Sequence, residues 1–307
     1  MQFNDWLLAI VFIIQNGIGI LGNSFLLFLY ILPFLTGHTP RPIDSIFFNL
    51  SLANLNVLLF RGLPQTMFYL GLKNVLDLLG CKLIQYLHTV SRSVSLTTTC
   101  LLSGFQGIII SPRNSRWFQL KAQAPKYIIP SCLFCWCFYL FINFTMLGIM
   151  HNSRFMSNNT KWWHLGYCSV AAPVSFNALF FVIIYSLPDV ICIGFMSWAS
   201  AYLIFILHRH HQQVQHIRNP HLSARTFPET KATHASLLLV CTHVSFYSIN
   251  SIITFCNFQF GKYYSFFTPT AQFTAACFPC ISPFVLISYD SQLHKYFYYL
   301  WCNKSSL

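Results

Sequence analysis

Charged residues, and acidic residues above all, are scarce in this chain of 307 residues. It contains 6 Asp and Glu against 18 Lys and Arg, so charged residues make up 8% of the sequence, whereas a soluble domain carries roughly 25%. So few charges cannot cover a water-exposed surface, and a hydrophobic fraction of 55% excludes a disordered chain. The composition therefore predicts a protein whose solvent is lipid.

Other features are missing as well, and each absence excludes a class of protein. The sequence has no low-complexity tract and no convincing internal repeat, and its apolar runs do not alternate with the period of two that a membrane β-barrel needs. The net charge of +12 comes from Lys and Arg that lie between hydrophobic blocks, so no nucleic-acid partner is expected. The twelve cysteines are scattered and do not form the framework of a small secreted protein.

What the chain does contain is seven apolar blocks, each close to the roughly 20 residues that cross about 30 Å of hydrocarbon. The predicted spans are 6–30, 45–70, 83–110, 127–150, 174–207, 235–258 and 264–287. The fifth span is long enough to project beyond the membrane, and Pro269, Pro279 and Pro283 predict a kink in the seventh. The predicted fold is an all-α bundle of seven transmembrane helices in a single domain over 1–307, of which 288–307 form a short cytoplasmic tail.

The distribution of Lys and Arg between the loops predicts the orientation. Eleven of these cations fall on one side of the predicted membrane and five on the other, and the richer side is expected to be cytoplasmic. The N-terminus is then outside, the C-terminus is inside, and the protein is a multi-pass protein of the cell membrane. Seven helices in this orientation are the layout of G protein-coupled receptors, although this step is an analogy of fold.

Two covalent features agree with this orientation. Cys81 stands at the outer end of the third span and Cys168 in the second outer loop, where an oxidising compartment permits a disulfide. The alternative is two free thiols. Asn158 begins an N-x-T sequon in the same loop, which predicts glycosylation there.

Several motifs identify a family. The second span contains LANLNVLLFRGLPQTM from Leu52, and the third ends in TTTCLLSGFQ and continues into SPRNSRW at Ser111. The third inner loop carries HRHHQQVQHI and PETKAT, and the last span contains ACFP and SPFVLIS. Together these motifs resemble the vomeronasal type-1 receptor family over nearly the whole chain. The resemblance implies a receptor without a cofactor that binds small odorant-like or pheromone-like ligands and signals through a heterotrimeric G protein of the inhibitory type.

The switch residues of rhodopsin-like receptors are absent. Gln106 follows Phe105 where those receptors carry an arginine after an acid, and Asn54 stands in place of their sodium-binding aspartate. An ionic lock and a sodium site of the usual kind are therefore not expected. The vomeronasal type-1 family shares both absences.

Charges within the bilayer indicate a candidate ligand site, because such charges are costly and usually face the bundle interior. Arg61, Arg92 and Asp189 are of this kind, and His88, Arg92 and Ser95 follow one stripe of the third span at i, i+4 and i+7. One interpretation is that these five residues contact a ligand in a mostly apolar pocket. The other is an internal ion pair between Asp189 and one of the arginines, and both can hold at once.

The inner loops are the predicted G protein surface. The candidate residues are Ser111, Pro112, Arg113, Arg116, His208, Arg209, Gln213 and Arg218. An alternative is that these cations bind anionic lipid and set the topology. No metal site is expected, because the histidines at His208, His210 and His211 are crowded without an acid and the cysteines around Cys135 lie within a span.

Two other functions remain as alternatives. A bitter-taste-type receptor would belong to the same class, and a small-molecule transporter to a different one. A transporter often shows internal repeats and several intramembrane acids, whereas this chain offers Asp189 alone. No enzyme is expected, because no base lies beside a nucleophile.

The orientation and the sequon can be tested together. Glycosidase treatment of the expressed protein should increase its gel mobility, and Asn158→Gln should remove that shift, because the sequon faces the exterior in the predicted topology. An epitope tag after Asp290 should stay inaccessible on intact cells. A tail that is accessible from outside would show that the orientation is wrong.

Overall fold

The computed structural model describes residues 3–35, 41–72, 76–110, 117–149, 160–164, 169–173, 178–217, 228–260 and 266–289. The helices are α1 (Phe3–Leu35), α2 (Pro42–Val57), α3 (Leu63–Tyr69), α4 (Leu78–Ile110), α5 (Trp117–Ile149), α6 (Ala178–Ile217), α7 (Pro228–Phe260) and α8 (Phe267–Tyr289). A π-helical turn over Leu58–Gly62 joins α2 to α3, so these three segments form one rod.

Seven helical rods of the described chain are long and apolar enough to cross a membrane, which confirms the predicted seven-helix fold. The fifth of them, α6, has 40 residues and continues well past the end of its apolar stretch at Arg209. The seventh, α8, runs without a break through Pro279 and Pro283. The predicted tail lies, from residue 290 onward, outside the described residues.

A short β-hairpin between α5 and α6 was not predicted. Strand β1 (Thr160–His164) pairs antiparallel with β2 (Ser169–Pro173), and Thr160 lies opposite Pro173. Each strand has only five residues, which is too few to stand out in a sequence that is apolar and aromatic almost everywhere. The hairpin adds a small two-stranded element to a fold that is otherwise helical over the described residues.

The bundle has an apolar exterior and a partly polar interior, the reverse of a soluble protein. Large apolar side chains face outward on every rod, and Phe141 on α5 is 81% exposed. Polar side chains such as Asn23, Asn54 and Thr98 are fully buried between the helices. Helix α4 is central, because it contacts the second rod, α5, α6 and α7.

Side-chain contacts give the relative directions of the helices. Phe12 stacks on Tyr69 with 5.3 Å between ring centroids, and the later residue Asn16 contacts the earlier residue Gly62, so α1 and α3 are antiparallel. Gln15 contacts Phe273 and Asn23 contacts Pro279, so α1 and α8 are parallel. We call the end at which α1 begins the N-terminal end of the bundle.

The π-helical turn over Leu58–Gly62 ends just before Pro64. Pro64 has no N–H, so the regular hydrogen-bond ladder of the second rod cannot continue through it. The carbonyl that Pro64 leaves without its helical donor is that of Phe60. Close to it, the carbonyl of Gly62 accepts hydrogen bonds from Asn16 Nδ2 at 3.1 Å and from Thr66 Oγ1 at 2.8 Å. A Cβ at residue 62 would collide with the Asn16 amide, so glycine is required for this approach of α1.

A second proline disrupts the hydrogen-bond ladder of α8, and a side chain of α1 contacts α8 at that point. Pro283 cannot donate to the carbonyl of Pro279 four residues earlier, and Asn23 Nδ2 donates to that carbonyl at 2.8 Å. The helices approach closely at this point, since a Cβ on Gly22 would lie 3.1 Å from Cβ of Pro283. Asn23 therefore joins the first and last helices of the bundle.

Replacing Asn23 by leucine should destabilise the protein. Asn23→Leu leaves the buried Pro279 carbonyl without its donor, at a cost of about 1–3 kcal/mol, and the melting temperature of the purified protein in detergent should fall. Ser24→Leu, at the neighbouring exposed position, is the control and should melt like the wild type. Equal melting of the two variants would contradict the role of Asn23.

Candidate functional site

An ion pair lies deep in the bundle between α4 and α6. Arg92 Nη2 is 2.7 Å from Asp189 Oδ2, and Tyr247 OH from α7 donates to the same oxygen at 2.7 Å. The guanidinium carbon of Arg92 lies 5.6 Å from the centroid of the Tyr247 ring, which adds a cation–π contact. Three helices are thus held by one carboxylate, whose side chain is only 2% exposed.

A cavity lies beside this ion pair, and Arg92 is one of its walls. The side chain of Arg92 is 34% exposed although it pairs with Asp189. The cavity has a volume of about 50 Å³. Its lining is Val57 from α2, Arg92 and Ser95 from α4, His243, Phe246, Tyr247 and Asn250 from α7, and Thr274, Ala275, Phe278 and Pro279 from α8.

A hydrogen-bonded chain runs through the helices next to the cavity. Ser95 Oγ donates to Asn54 Oδ1 at 2.6 Å, and Asn54 Nδ2 donates to Ser282 Oγ at 2.8 Å. Thr99 Oγ1 lies 3.1 Å from His243 Nδ1, and the His243 ring stacks on Phe278 with 3.8 Å between centroids. Helices α2, α4, α7 and α8 are therefore connected around the cavity by buried polar groups.

The five residues predicted to contact ligand divide into four groups. Arg92 and Ser95 line the cavity described above, whereas Arg61 lines a second, smaller cavity. Asp189 is buried behind Arg92 as its partner. His88 is 3% exposed, lines neither cavity, and lies within the electrostatic influence of Arg61 and Arg92.

Sequence reasoning missed the contribution of α7. His243, Tyr247 and Asn250 all line the first cavity, and their numbers follow the spacing i, i+4 and i+7 of one helical stripe. The same pattern on α4 led to Arg92 and Ser95. The stripe on α7 carries no residue with a fixed charge, which is why a search for intramembrane charges did not find it.

At the opposite end of the bundle, Gln106 forms an uncharged hydrogen bond to α7. Its Nε2 donates to Ser236 Oγ on α7, and both side chains are buried. The α4–α7 contact at this end therefore depends on an uncharged hydrogen bond. Asn54, which stands in place of a sodium-binding acid, is occupied with Ser95 and Ser282.

Part of the predicted G protein surface lies at this same end. His208 and Arg209 are exposed near the end of the apolar stretch of α6. The segment with Ser111, Pro112, Arg113 and Arg116, the residue Arg218 and the side chain of Gln213 lie outside the described residues. No group of three or more potential metal ligands occurs within the part of the chain that the structure describes.

Only one of the residues predicted to be covalently modified or cross-linked belongs to the described part of the chain. Cys81 is buried near the start of α4 and is disulfide-bonded. Cys168 and Asn158 lie outside the described residues. The cysteines of the described spans around Cys135 are free thiols.

Comparison with known proteins places this chain in a receptor family. The sequence profile of the vomeronasal organ pheromone receptor family matches residues 7–299. The chain is 41% identical to human vomeronasal type-1 receptor 1 over 296 residues, which cover 96% of this chain and 84% of that receptor. It is 39% identical to human vomeronasal type-1 receptor 4 over 92% of this chain and 94% of that receptor.

The similarity to a more distant relative also covers nearly the whole chain. The olfactory receptor class A-like protein 1 of zebrafish is 30% identical over 93% of this chain and 90% of its own length. The family match, together with the seven helices long enough to span a membrane, identifies a pheromone-type G protein-coupled receptor. This chain belongs to the vomeronasal type-1 receptor family and is a multi-pass protein of the cell membrane.

The buried ion pair should contribute far more to stability than a surface pair. Asp189→Asn leaves the Arg92 guanidinium in a low dielectric without its carboxylate, which costs about 3–5 kcal/mol. Arg41→Gln breaks the partly exposed Arg41–Asp44 pair, also 2.7 Å long, and should cost about 1 kcal/mol or less. Melting temperatures of the two purified variants measure the difference.

A double variant separates loss of the pair from loss of its parts. Arg92→Met with Asp189→Leu removes both charges and should recover much of the stability lost in Asp189→Asn. If Asp189→Asn melted no lower than Arg41→Gln, the ion pair would not be what holds α4 to α6.

Proposed function

We propose that this receptor binds a small odorant-like or pheromone-like molecule in the cavity beside Arg92 and transmits the signal to a G protein of the inhibitory type. The observation that carries the proposal is the position of Arg92. Asp189 neutralises its charge on one side, while part of its side chain remains exposed to the cavity. The guanidinium can therefore offer hydrogen-bond donors to a ligand without the full cost of a lone buried charge.

The chemistry of the lining limits the ligand. Arginine donates hydrogen bonds and cannot accept them, so the proposed ligand carries an acceptor oxygen that faces Arg92. Phe246 and Phe278 make the rest of the wall apolar. Because a volume of about 50 Å³ is far below the roughly 300–1,000 Å³ of common ligand pockets, the ligand is small and its entry separates helices that are now in contact.

The predicted orientation puts the ligand cavity towards the exterior, and a disulfide at Cys81 supports it. All other cysteines of the described part of the chain are free, and Cys168 and Cys302 are the two cysteines outside that part. Cys168 lies on the outer side in the predicted topology, and Cys302 belongs to the predicted inner tail. We therefore assign the pairing to Cys168, which peptide mapping under non-reducing conditions can check.

The proposed G protein surface is the opposite end of the bundle. Helix α6 continues past the membrane there as far as Ile217 and exposes His208 and Arg209. A partner that enters between α4 and α7 has to break the bond between Gln106 and Ser236. The predicted residues from Ser111 to Arg116 and at Gln213 and Arg218 stay candidates for this contact, with binding to anionic lipid as the alternative.

The competing functions lose support from the family assignment. A profile match over residues 7–299 identifies vomeronasal type-1 receptors and not bitter-taste receptors. The family is one of receptors, which favours neither a transporter nor an enzyme. Asp189, the acid available to a transporter for ion coupling, is bound to Arg92 and Tyr247.

The function can be tested in cells that express the receptor with an inhibitory-type G protein and are screened against volatile and steroid libraries. For a ligand found in this way, Arg92→Gln should raise the half-maximal concentration by roughly 10- to 100-fold, because a hydrogen bond to a charged donor is worth about 1.5–3 kcal/mol. Lys126→Gln, an exposed cation on α5, is the control and should leave the response unchanged.

A second variant covers the case in which Arg92→Gln does not reach the surface. Asn250→Leu fills the cavity from α7 without touching the ion pair and should block the response by steric exclusion. Unchanged potency in both variants at normal surface expression would refute the assignment of the cavity. Uptake of the ligand without G protein signalling would favour a transporter instead.

A further inference from the structure

A second cavity lies between α1, the second rod and α8, towards the N-terminal end of the bundle. Its volume is about 10 Å³. Its polar lining consists of Asn16, Arg61, Gln65 and Gln272, and its apolar lining of Phe12, Val57, Leu58, Ala275 and Ala276. The size corresponds to one water molecule, since about 10–15 Å³ of such space is needed to hold a water.

Gln65 is the unusual residue of this cavity. Its side chain is among the largest that are fully buried, with 1% exposed, and neither its Nε2 nor its Oε1 has a hydrogen-bond partner. Oδ1 of Asn16 is likewise buried without a partner, while its Nδ2 is held by Gly62 and Thr66. A buried polar atom without a partner is costly, so three of them on residues around one cavity indicate an occupant.

The polar atoms define the chemistry of that occupant. Gln65 Nε2 needs an acceptor, whereas Gln65 Oε1 and Asn16 Oδ1 need donors. A cation would satisfy the two oxygens but would meet the positive charge of Arg61, and an anion would leave both oxygens without donors. A group that donates and accepts at once, such as water or a hydroxyl, satisfies all three atoms.

The small cavity adjoins the cavity beside Arg92. Val57 from α2 and Ala275 from α8 line both. These two small apolar side chains therefore form the shared wall between the polar group around Gln65 and the polar group around Arg92. A ligand that displaces this wall reaches both groups.

We propose that the cavity around Gln65, Asn16 and Arg61 is a second lobe of the ligand site, which holds one water in the empty receptor and takes a hydroxyl group of the bound ligand. The ligand part of this proposal rests on the proposed function. The water part depends only on the described contacts and is tested separately. The class of ligand that fits both lobes is a small alcohol with a second acceptor oxygen. An apolar segment between its two polar groups would pass Val57 and Ala275.

The first experiment tests whether the lobe is occupied. Gln65→Met keeps the length of the side chain but removes both polar atoms. If a water satisfies the Gln65 amide, the melting temperature of the purified receptor falls by roughly 2–5 °C. If the amide is an orphan, the substitution removes a penalty and the melting temperature rises, which would overturn the proposal.

Ser51→Ala is the matched control for this experiment. The Ser51 hydroxyl is buried and also lacks a partner, but it lines neither cavity. Its removal should leave the melting temperature unchanged or raise it. A fall in Ser51→Ala as large as that in Gln65→Met would show that the loss at Gln65 is not specific to the lobe.

The second experiment tests the hydroxyl with two isomers, 5-methoxypentan-1-ol and 1,4-dimethoxybutane, both of which carry an ether oxygen that can accept from Arg92. The alcohol donates and accepts hydrogen bonds, whereas the diether only accepts. The concentration that gives half of the maximal thermal stabilisation should be at least about 10-fold lower for the alcohol in the wild type. This ratio should fall to about 1 in Gln65→Met, and comparison of the two receptors cancels the different partition of the probes into detergent.

The outcomes separate this proposal from the receptor function. Equal effects of the two probes on the wild type would overturn the hydroxyl assignment, whether or not any variant folds. A rise in melting temperature in Gln65→Met would overturn the water. Neither result depends on G protein signalling, so the melting temperatures test the lobe even in a receptor that fails to signal.

Discussion

Inside a membrane, a polar group that the regular helix leaves without a partner has no water to bind, so the protein itself has to supply one. Much of this bundle follows from that constraint. Proline breaks the hydrogen-bond ladder of the second rod at Pro64 and of α8 at Pro283, and in both places an asparagine of α1 lies against the disrupted segment. Asn16 and Asn23 therefore fix the position of α1, because each donates to a carbonyl on another helix. The packing of an apolar helix among lipids is specified here by two amides, with Gly62 and Gly22 allowing the close approach.

The fold could be predicted from the sequence because lipid imposes a length. Seven apolar blocks of the required size are visible in the sequence, and each overlaps one of the seven rods, although the fifth apolar stretch begins at Ser186 and not at residue 174. The π-helical turn could not be predicted, because a proline predicts only that the hydrogen-bond ladder is disturbed. The contact at the turn is made by Asn16, which lies 46 residues before Gly62 in the sequence. The hairpin over 160–173 was missed for another reason, since five-residue strands in an aromatic loop have no periodicity long enough to recognise.

The candidate site was predicted in part, and the part that was missed has a clear physical cause. Arg92 and Asp189 stand out because charge is expensive in lipid, and the structure joins them at 2.7 Å. The stripe of His243, Tyr247 and Asn250 carries no fixed charge and is hidden among neighbouring apolar residues of α7. Gln65 was missed for the same reason, although its two unpartnered amide atoms are unusual once the fold is known. Arg61 was grouped with Arg92 because depth along a helix is readable from sequence, whereas the assignment of each to a different cavity depends on helix rotation.

The same polar contacts connect the proposed ligand cavity to the arrangement of the helices. Arg92 and Tyr247 line the first cavity and also hold Asp189, so a ligand that accepts a hydrogen bond from Arg92 competes with contacts between α4, α6 and α7. Ser95 lines that cavity and begins the chain through Asn54 to Ser282 on α8. At the other end, the neutral hydrogen bond from Gln106 to Ser236 joins the same pair of helices, α4 and α7. A coupling between distant sites of this kind typically amounts to about 1–3 kcal/mol, which is comparable to one buried hydrogen bond. A coupling of this size between the proposed ligand cavity and the Gln106–Ser236 contact is of the order needed to open that contact.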